Sequence, residues 1–176
     1  MGRFVVLLRG VNVGRAKRVP MAAWKAQLAR IGFNDVTTVL NSGNAVFSSK
    51  ARSTAPLAQA IRDALLGEMG VDVSVIVKSS AELSAIAKEN PWARVAGDPS
   101  RLLVAFAGTA EDLLGLAPVA EFVQPTERWQ LGSHAAYLWC AGGILDSQAG
   151  DALLGKLGRN VTTRNWATVQ KLVALL

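Results

Sequence analysis

The sequence has a single cysteine, Cys140, and a single histidine, His134. One residue of each type excludes an intramolecular disulfide and a cysteine/histidine zinc site, so we expect no bound metal. Cys140 ends an apolar run that is typical of a buried strand, and His134 follows Gly132 and Ser133 in a predicted turn. We therefore expect a core role for Cys140 and a surface role for His134, in preference to a nucleophile and a base.

Long apolar runs are also missing. No uncharged apolar run approaches the ~20 residues that a membrane span requires. The first apolar run, residues 4–8, lies between Arg3 and Arg9 and is too short for the core of a signal peptide. Val6 occupies the position where N-myristoylation requires serine or threonine. These absences favour a cytoplasmic protein without a membrane partner.

Acidic residues are scarce at both ends of the chain. No aspartate or glutamate occurs before Asp35, between Asp35 and Asp63, or after Asp151. The 176 residues carry a net charge of +6. A positive field attracts anionic partners, which include phosphorylated small molecules, nucleotides and nucleic acids. The charge alone does not distinguish among them.

The first 78 residues predict the element order β-α-β-β-α-β. Apolar and β-branched runs predict strands over residues 4–8, 36–40, 45–47 and 71–77. Helical spacing predicts one helix that begins at Pro20 and ends at Gly32, and another that is capped by Thr54 and ends at Gly70. This order is typical of the ferredoxin-like, split βαβ pattern.

The rest of the chain repeats the theme without detectable sequence identity. Ser79 and Glu82 form a capping box for a helix over residues 81–89, and a loop follows over 93–100. Strands are predicted over residues 102–107, 127–131, 135–140 and 161–162. Pro118 should end a short helix that Thr109 caps, and Thr163 should cap the final helix.

We therefore predict an α+β protein of two ferredoxin-like (βαββαβ-type) subdomains packed into one compact unit. Residues 1–78 form the N-terminal ferredoxin-like subdomain in this prediction. Residues 79–100 form a connecting helix and loop, and residues 101–176 form the C-terminal α+β subdomain.

Two polar segments follow the first two strands, and we name them the 9–18 loop and the 41–44 turn. Parallel strands joined by a crossover helix end at the same edge of a sheet, so these segments should lie close together. A loop with two glycines before a helix can hold an anion on its backbone N–H groups, or can merely shape a surface turn. The predicted ligand residues here are Arg9, Asn12, Gly14, Lys17, Asn41, Ser42 and Asn44.

A third polar segment lies near the C-terminus, and it adds Thr163, Arg164 and Asn165 as predicted ligand residues. A threonine-capped helix start beside an arginine is suited to anions. Arg164, Thr168 and Lys171 would share one face of that helix, which is also typical of a plain solvated face. Spacing does not tell whether this segment joins the first two.

Three motifs resemble the uncharacterised domain-of-unknown-function family number 1697: LLRGVNVG at residues 7–14, NSGN at residues 41–44 and TTRNWATVQKL at residues 162–172. Met21, the Gly32-Phe33 and Asn90-Pro91 pairs and Phe47 are similar to further family positions. Arg15 stands where members usually have a second glycine. The resemblance implies a two-subdomain α+β fold and no established activity.

The three polar segments contain no carboxylate, histidine or cysteine. Metal-assisted hydrolysis, a carboxylate pair and a Ser-His-Asp arrangement are therefore disfavoured at this site. Arginine, lysine, amide and hydroxyl groups bind oxyanions, so the prediction is binding of a phosphorylated or other anionic small ligand without a cofactor. One alternative is nucleic-acid binding by the basic surface, and another is a transferase that acts by positioning a phosphorylated substrate.

Overall fold

The structure, a computed structural model, describes residues 1–94 and 97–176. These residues form two four-stranded antiparallel sheets and six α-helices, which confirms the α+β class. The strands are β1 (Gly2–Leu8), β2 (Asn34–Val39), β3 (Asn44–Ser49), β4 (Val75–Ser79), β5 (Leu102–Ala107), β6 (Arg128–Leu131), β7 (Ala136–Trp139) and β8 (Val161–Asn165). The helices are α1 (Met21–Arg30), α2 (Ala55–Met69), α3 (Ser80–Glu89), α4 (Ala110–Leu114), α5 (Gln148–Leu154) and α6 (Trp166–Val173).

The chain divides into two units: Met1–Leu83 with Leu172–Leu176, and Ser84–Lys171. The ferredoxin-like assignment and the boundaries at 78/79 and 100/101 stay predictions. The predicted loop over 93–100 includes residues 95 and 96, which lie outside the described residues.

In the first unit, the sheet has the strand order β2-β3-β1-β4. β1 and β2 are both antiparallel to β3, so they run in the same direction and end at the same edge, as the sequence predicts. β1 lies between β3 and β4, and its residues from Val5 to Leu8 are all fully buried. Because β1 has apolar side chains on both of its faces, both faces of the sheet must be covered at this strand.

The core of this unit lies between one face of the sheet and the helices α1 and α2. Trp24 and Leu28 of α1 and Ile61 and Leu65 of α2 are completely buried there. α1 ends at Arg30, and Gly32, the glycine predicted to terminate it, follows the C-cap with a φ of +99°. The Gly32 and Phe33 N–H groups bond back to the carbonyls of residues 29 and 28, which is a Schellman motif.

The fourth strand is later and shorter than the predicted 71–77. Val71 and Val73 are buried in the core but lie outside β4, because the pairing with β1 begins only at the pair Leu8–Val75. The alternating apolar residues at 71 and 73 therefore indicate burial in the core and not pairing in the sheet. Thr54 precedes α2 as predicted, but its side chain makes no capping hydrogen bond.

The second unit has the strand order β6-β7-β5-β8, the same order as the first sheet. β5 occupies the predicted residues 102–107 and is buried along its whole length. The predicted caps are present in both units, since Ser79 and Glu82 cap α3 and Thr109 caps α4. Pro118 does not end α4, which stops at Leu114. It lies instead near the start of a 3-10 helix, Ala117–Phe122, where a missing N–H is tolerated.

Candidate functional site

The 9–18 loop begins where β1 loses its partners. The Leu8 N–H donates to the Gly43 carbonyl over 2.8 Å, and the Arg9 N–H donates to the Ser74 carbonyl over 3.0 Å. Gly10 then takes a φ of +63°, which turns the chain out of the strand direction. The hydrogen bond from Leu8 to Gly43 therefore places the start of this loop beside the 41–44 turn.

Asn12 holds the 9–18 loop together. Its Oδ1 accepts from the Val19 N–H over 2.9 Å, and its Nδ2 donates to the Val19 carbonyl over 2.9 Å. The same Nδ2 donates to the Asn41 carbonyl over 2.7 Å. The Asn12 N–H closes the loop internally by donating to the Lys17 carbonyl over 3.1 Å. The side chain of Asn12 therefore braces the backbone just after its own loop and the backbone of the 41–44 turn.

Asn44 has a similar role in the 41–44 turn. It is completely buried, and its Nδ2 donates to the Val39 carbonyl over 2.9 Å and to Ser42 Oγ over 2.8 Å. Gly43 packs on the end of β1, because a Cβ placed there would lie 2.7 Å from both Leu8 Cβ and Val11 Cγ2. Only glycine leaves room for this approach.

Left-handed backbone is concentrated in these two segments and the residue before the turn. Six of the residues with positive φ lie here: Gly10, Asn12, Gly14, Lys17, Leu40 and Gly43. Lys17 at +51° and Leu40 at +58° carry a Cβ and a side chain that gains nothing from this conformation. Such strain is retained only where the surroundings impose it, and it is frequent at binding sites.

The 9–18 loop carries four positive charges. Arg9 is half-buried, whereas Arg15, Lys17 and Arg18 are exposed. Asn41 and Ser42 of the turn are also exposed. The structure thus brings Asn12, Asn41, Ser42 and Asn44 together through hydrogen bonds, next to a loop with an exposed cationic surface.

The third polar segment, in the second unit, differs from the prediction. β8 continues to Asn165, so Thr163 pairs with Ala105 in the sheet and does not cap α6. Asn165 caps α6, since its Oδ1 accepts from the Thr168 N–H over 2.9 Å. The predicted helix face shared by Arg164, Thr168 and Lys171 is wrong, because Arg164 lies in β8 and is only 8% exposed.

Arg164 is held by its own strand. Its Nη1 donates to Thr162 Oγ1 and to the Thr163 carbonyl, both over 2.8 Å. Burial lowers the pKa of Arg164 to about 10, because a charged guanidinium loses hydration in the interior. Pairing with Val104 of β5, which also pairs with Tyr137 of β7, puts Arg164 and Tyr137 on one face of the sheet.

A family model described as a protein of unknown function (DUF1697) matches residues 1–137. The chain belongs to this family. The structure of the conserved bacterial protein SP0830 from Streptococcus pneumoniae is similar over 99% of this chain and 98% of that chain, with a TM-score of 0.82 and 24% identity. At this identity the likeness shows the fold alone. No curated protein matches the chain.

Sequence reasoning missed one cluster in this DUF1697 protein. The Glu89 carboxylate, at the end of α3, accepts N–H bonds from Ser133 over 2.6 Å, His134 over 3.1 Å and Ala135 over 3.3 Å. The Tyr137 hydroxyl lies 2.8 Å from Glu89 Oε2 and 2.8 Å from the Ile86 carbonyl. More than forty residues separate the partners, so no local sequence pattern reveals them.

The environment of this cluster shifts two pKa values. Burial by itself raises the pKa of Glu89, but the hydrogen bonds from the turn and from Tyr137 together outweigh it and lower the pKa below the usual value. Burial, and then the neighbouring carboxylate, raise the pKa of Tyr137. The cluster therefore stabilises an ionised Glu89 beside a neutral Tyr137.

Cys140 and His134 lie where the sequence predicts. Cys140 is fully buried, and burial raises the pKa of its thiol, which disfavours a thiolate nucleophile. His134 is exposed in the β6–β7 turn.

Among residues 1–94 and 97–176, no three histidine, cysteine, aspartate or glutamate residues are grouped so that they could hold a metal ion. No helix in the described part of this DUF1697 chain is long and apolar enough to cross a membrane.

Proposed function

We propose that the 9–18 loop and the 41–44 turn of this protein bind a phosphorylated or other anionic small ligand. The observation that carries the proposal is the hydrogen bond from Asn12 Nδ2 to the Asn41 carbonyl, 2.7 Å long. It joins a loop with four cations to a turn that carries an exposed serine, Ser42, so their polar groups can act on one ligand.

The chemistry of these segments favours an oxyanion. Arg9 and Lys17 supply positive charge, Ser42 supplies a hydroxyl, and Gly10 and Gly14 leave the backbone open to close approach. Charge-assisted hydrogen bonds from such groups are about twice as strong as neutral ones. No carboxylate precedes Asp35 in the chain to compete for these cations locally.

The asparagines have a supporting role in this proposal. Asn12 and Asn44 donate their amide hydrogens to backbone and to Ser42, so they fix the shape of the site. The ligand contacts then come from Arg9, Lys17 and Ser42. Thr163, Arg164 and Asn165 are not required, because Asn165 caps a helix and Arg164 is buried.

Binding is favoured over catalysis at this site. The two segments contain no carboxylate, histidine or cysteine that could accept a proton. A transferase would have to rely on positioning and on a base from its substrate. We also propose a cytoplasmic location for this protein.

Nucleic-acid binding is the weaker alternative. Recognition of single-stranded RNA on a sheet requires exposed aromatic rings. Phe47, the aromatic residue of β3, is completely buried and stacks on Phe4 and Phe33, with ring centroids 5.8 Å and 4.3 Å away. Base stacking on β3 therefore has no support, although the exposed cations of the loop could still contact phosphates.

A thermal-shift screen tests the proposal. The wild type and Arg9→Ala are heated with inorganic phosphate, AMP, ATP, acetyl phosphate and short RNA and DNA oligomers. A ligand that binds the folded state raises its melting temperature. We expect a small anion to stabilise the wild type and not Arg9→Ala. Stabilisation by oligomers alone, abolished by salt, would favour nucleic acid instead.

A further inference from the structure

The second unit has an open surface groove of about 470 Å³. It shares no residue with the loop and turn described above. Small-molecule sites usually have volumes of roughly 300–1,000 Å³. The residues that line it are Phe122, Gln148, Asp151, Ala152, Lys156 and Leu157.

The groove is built by one helix and the two segments beside it. Gln148, Asp151 and Ala152 have the spacing i, i+3 and i+4, so they occupy one face of α5. Phe122 ends the 3-10 helix Ala117–Phe122, and Lys156 follows the glycine that ends α5. Ser147 fixes the start of α5 by accepting from the N–H of residue 150.

The floor of the groove is apolar. Phe122 is 39% exposed, and Ala152 and Leu157, which also line the groove, are half-buried. When a ligand covers an exposed aromatic ring in a concave surface, the removal of the ring from water makes the binding free energy more favourable. This part of the groove fits an apolar or aromatic group.

Two opposite charges border the same groove. Asp151 and Lys156 are both exposed, and in the part of the chain that the structure describes neither side chain makes an ion pair or a hydrogen bond. They are close enough to line one groove and too far apart to pair with each other. A ligand with a single charge would match only one of them.

We propose that this groove binds a small zwitterion with an apolar body, which is the chemistry of a free apolar amino acid or a short apolar peptide. The ligand's ammonium group would lie at Asp151 and its carboxylate at Lys156. Its side chain would cover Phe122 and Leu157. This site is independent of the anion site in the first unit, so either proposal can fail alone.

NMR titration of the full-length, ¹⁵N-labelled chain tests the proposal. The probes are L-phenylalanine and L-leucyl-L-phenylalanine, which distinguish a free amino acid from a peptide. N-acetyl-L-phenylalanine and L-phenylalaninamide are the matched controls, since each lacks one of the two charges. We expect saturable shifts of the amide signals of residues 148–157 with at least one zwitterion, and weaker binding of both blocked compounds.

Variants separate the three contacts. Phe122→Ala should weaken binding by about tenfold or more, the equivalent of burying an aromatic side chain. Asp151→Asn and Lys156→Gln should each weaken it by roughly two- to fivefold, as for exposed ion pairs. Asp146→Asn and Arg159→Gln remove exposed charges outside the groove and should leave binding unchanged. Thermal unfolding establishes that each variant is folded.

Two results would overturn the proposal. One is the absence of shifts at residues 148–157 with either zwitterion at millimolar concentration. The other is equal binding of the blocked and unblocked compounds, or equal weakening by the groove variants and their controls, since the two charges would then have no part in recognition.

Discussion

The side-chain amide of Asn12 donates a hydrogen bond to the main-chain carbonyl of Asn41 over 2.7 Å, although 29 positions separate the two residues. The same side chain makes two bonds to Val19. The side chain of Asn12 therefore links the 9–18 loop to the 41–44 turn, although the two segments follow different strands.

Asn12→Asp should lower the free energy of unfolding by about 1–3 kcal/mol. Aspartate retains the size of the side chain and tolerates the positive φ, but it cannot donate to the carbonyls of Val19 and Asn41. Urea unfolding measures the change. Asn41→Ala is the control, because the bond uses the Asn41 backbone and its side chain is exposed. Equal losses in both variants would contradict the bracing role of Asn12.

Gly43→Ala should destabilise the protein by more than about 2 kcal/mol. The new Cβ would lie 2.7 Å from Leu8 Cβ and Val11 Cγ2, in a backbone with a φ of +82°. Gly14 has a φ of +63°, but a Cβ placed there would have no atom within 4 Å. Gly14→Ala should therefore lower the free energy of unfolding only by the backbone strain, about 1 kcal/mol. Comparison of the two unfolding midpoints separates crowding from strain, and a larger loss at Gly14 would argue against the close approach.

Much of the fold can be predicted from the sequence, because many strands and helix ends depend on residues that are close together in the chain. Buried apolar runs identify β1 and β5, and the glycines at 32 and 70 follow the ends of their helices because left-handed backbone favours glycine. The meeting of the 9–18 loop with the 41–44 turn also follows, since it depends only on the direction of two strands.

The errors in the bounds of β4 and β8 have a common physical origin in long-range pairing. β4 starts at Val75 because β1 has turned away before Val71 and Val73 can pair. β8 extends to Asn165 because β5 offers partners that far, which moves the helix cap from Thr163 and buries Arg164. The sequence carries the apolar pattern of these segments but not the length of the partner strand.

Glu89→Gln should destabilise the protein by about 1.5–3 kcal/mol at neutral pH, since three backbone N–H groups and Tyr137 bond to its charged form. The folded-state pKa of Glu89 is lowered, so its contribution is complete above the ordinary glutamate pKa and is lost as pH falls through the lowered value. Unfolding of the two proteins, followed from neutral to acid pH, should therefore converge. Glu121→Gln, an exposed control, should follow the wild type. A difference that persists at acid pH would contradict a role for the charge.

Leu40→Asn should increase the free energy of unfolding by about 1 kcal/mol. Leu40 has a φ of +58° and is 50% exposed, so little packing compensates for the strained backbone. Asparagine tolerates this conformation through local hydrogen bonds. Thermal unfolding gives the sign directly, and a loss of stability would mean that contacts of the leucine outweigh the strain.

The most direct test of the central proposal is isothermal titration of the small anion that gives the largest thermal shift. The proteins compared are the wild type, Arg9→Ala, Arg9→Lys and Lys25→Ala, of which the last removes an exposed cation from α1. We predict that Arg9→Ala loses about 1.5–3 kcal/mol of binding free energy, the value of a charge-assisted hydrogen bond, that Arg9→Lys loses part of it, and that Lys25→Ala binds as the wild type does. Equal binding by the wild type and Arg9→Ala, or equal losses in Arg9→Ala and Lys25→Ala, would contradict an anion site formed by the 9–18 loop and the 41–44 turn.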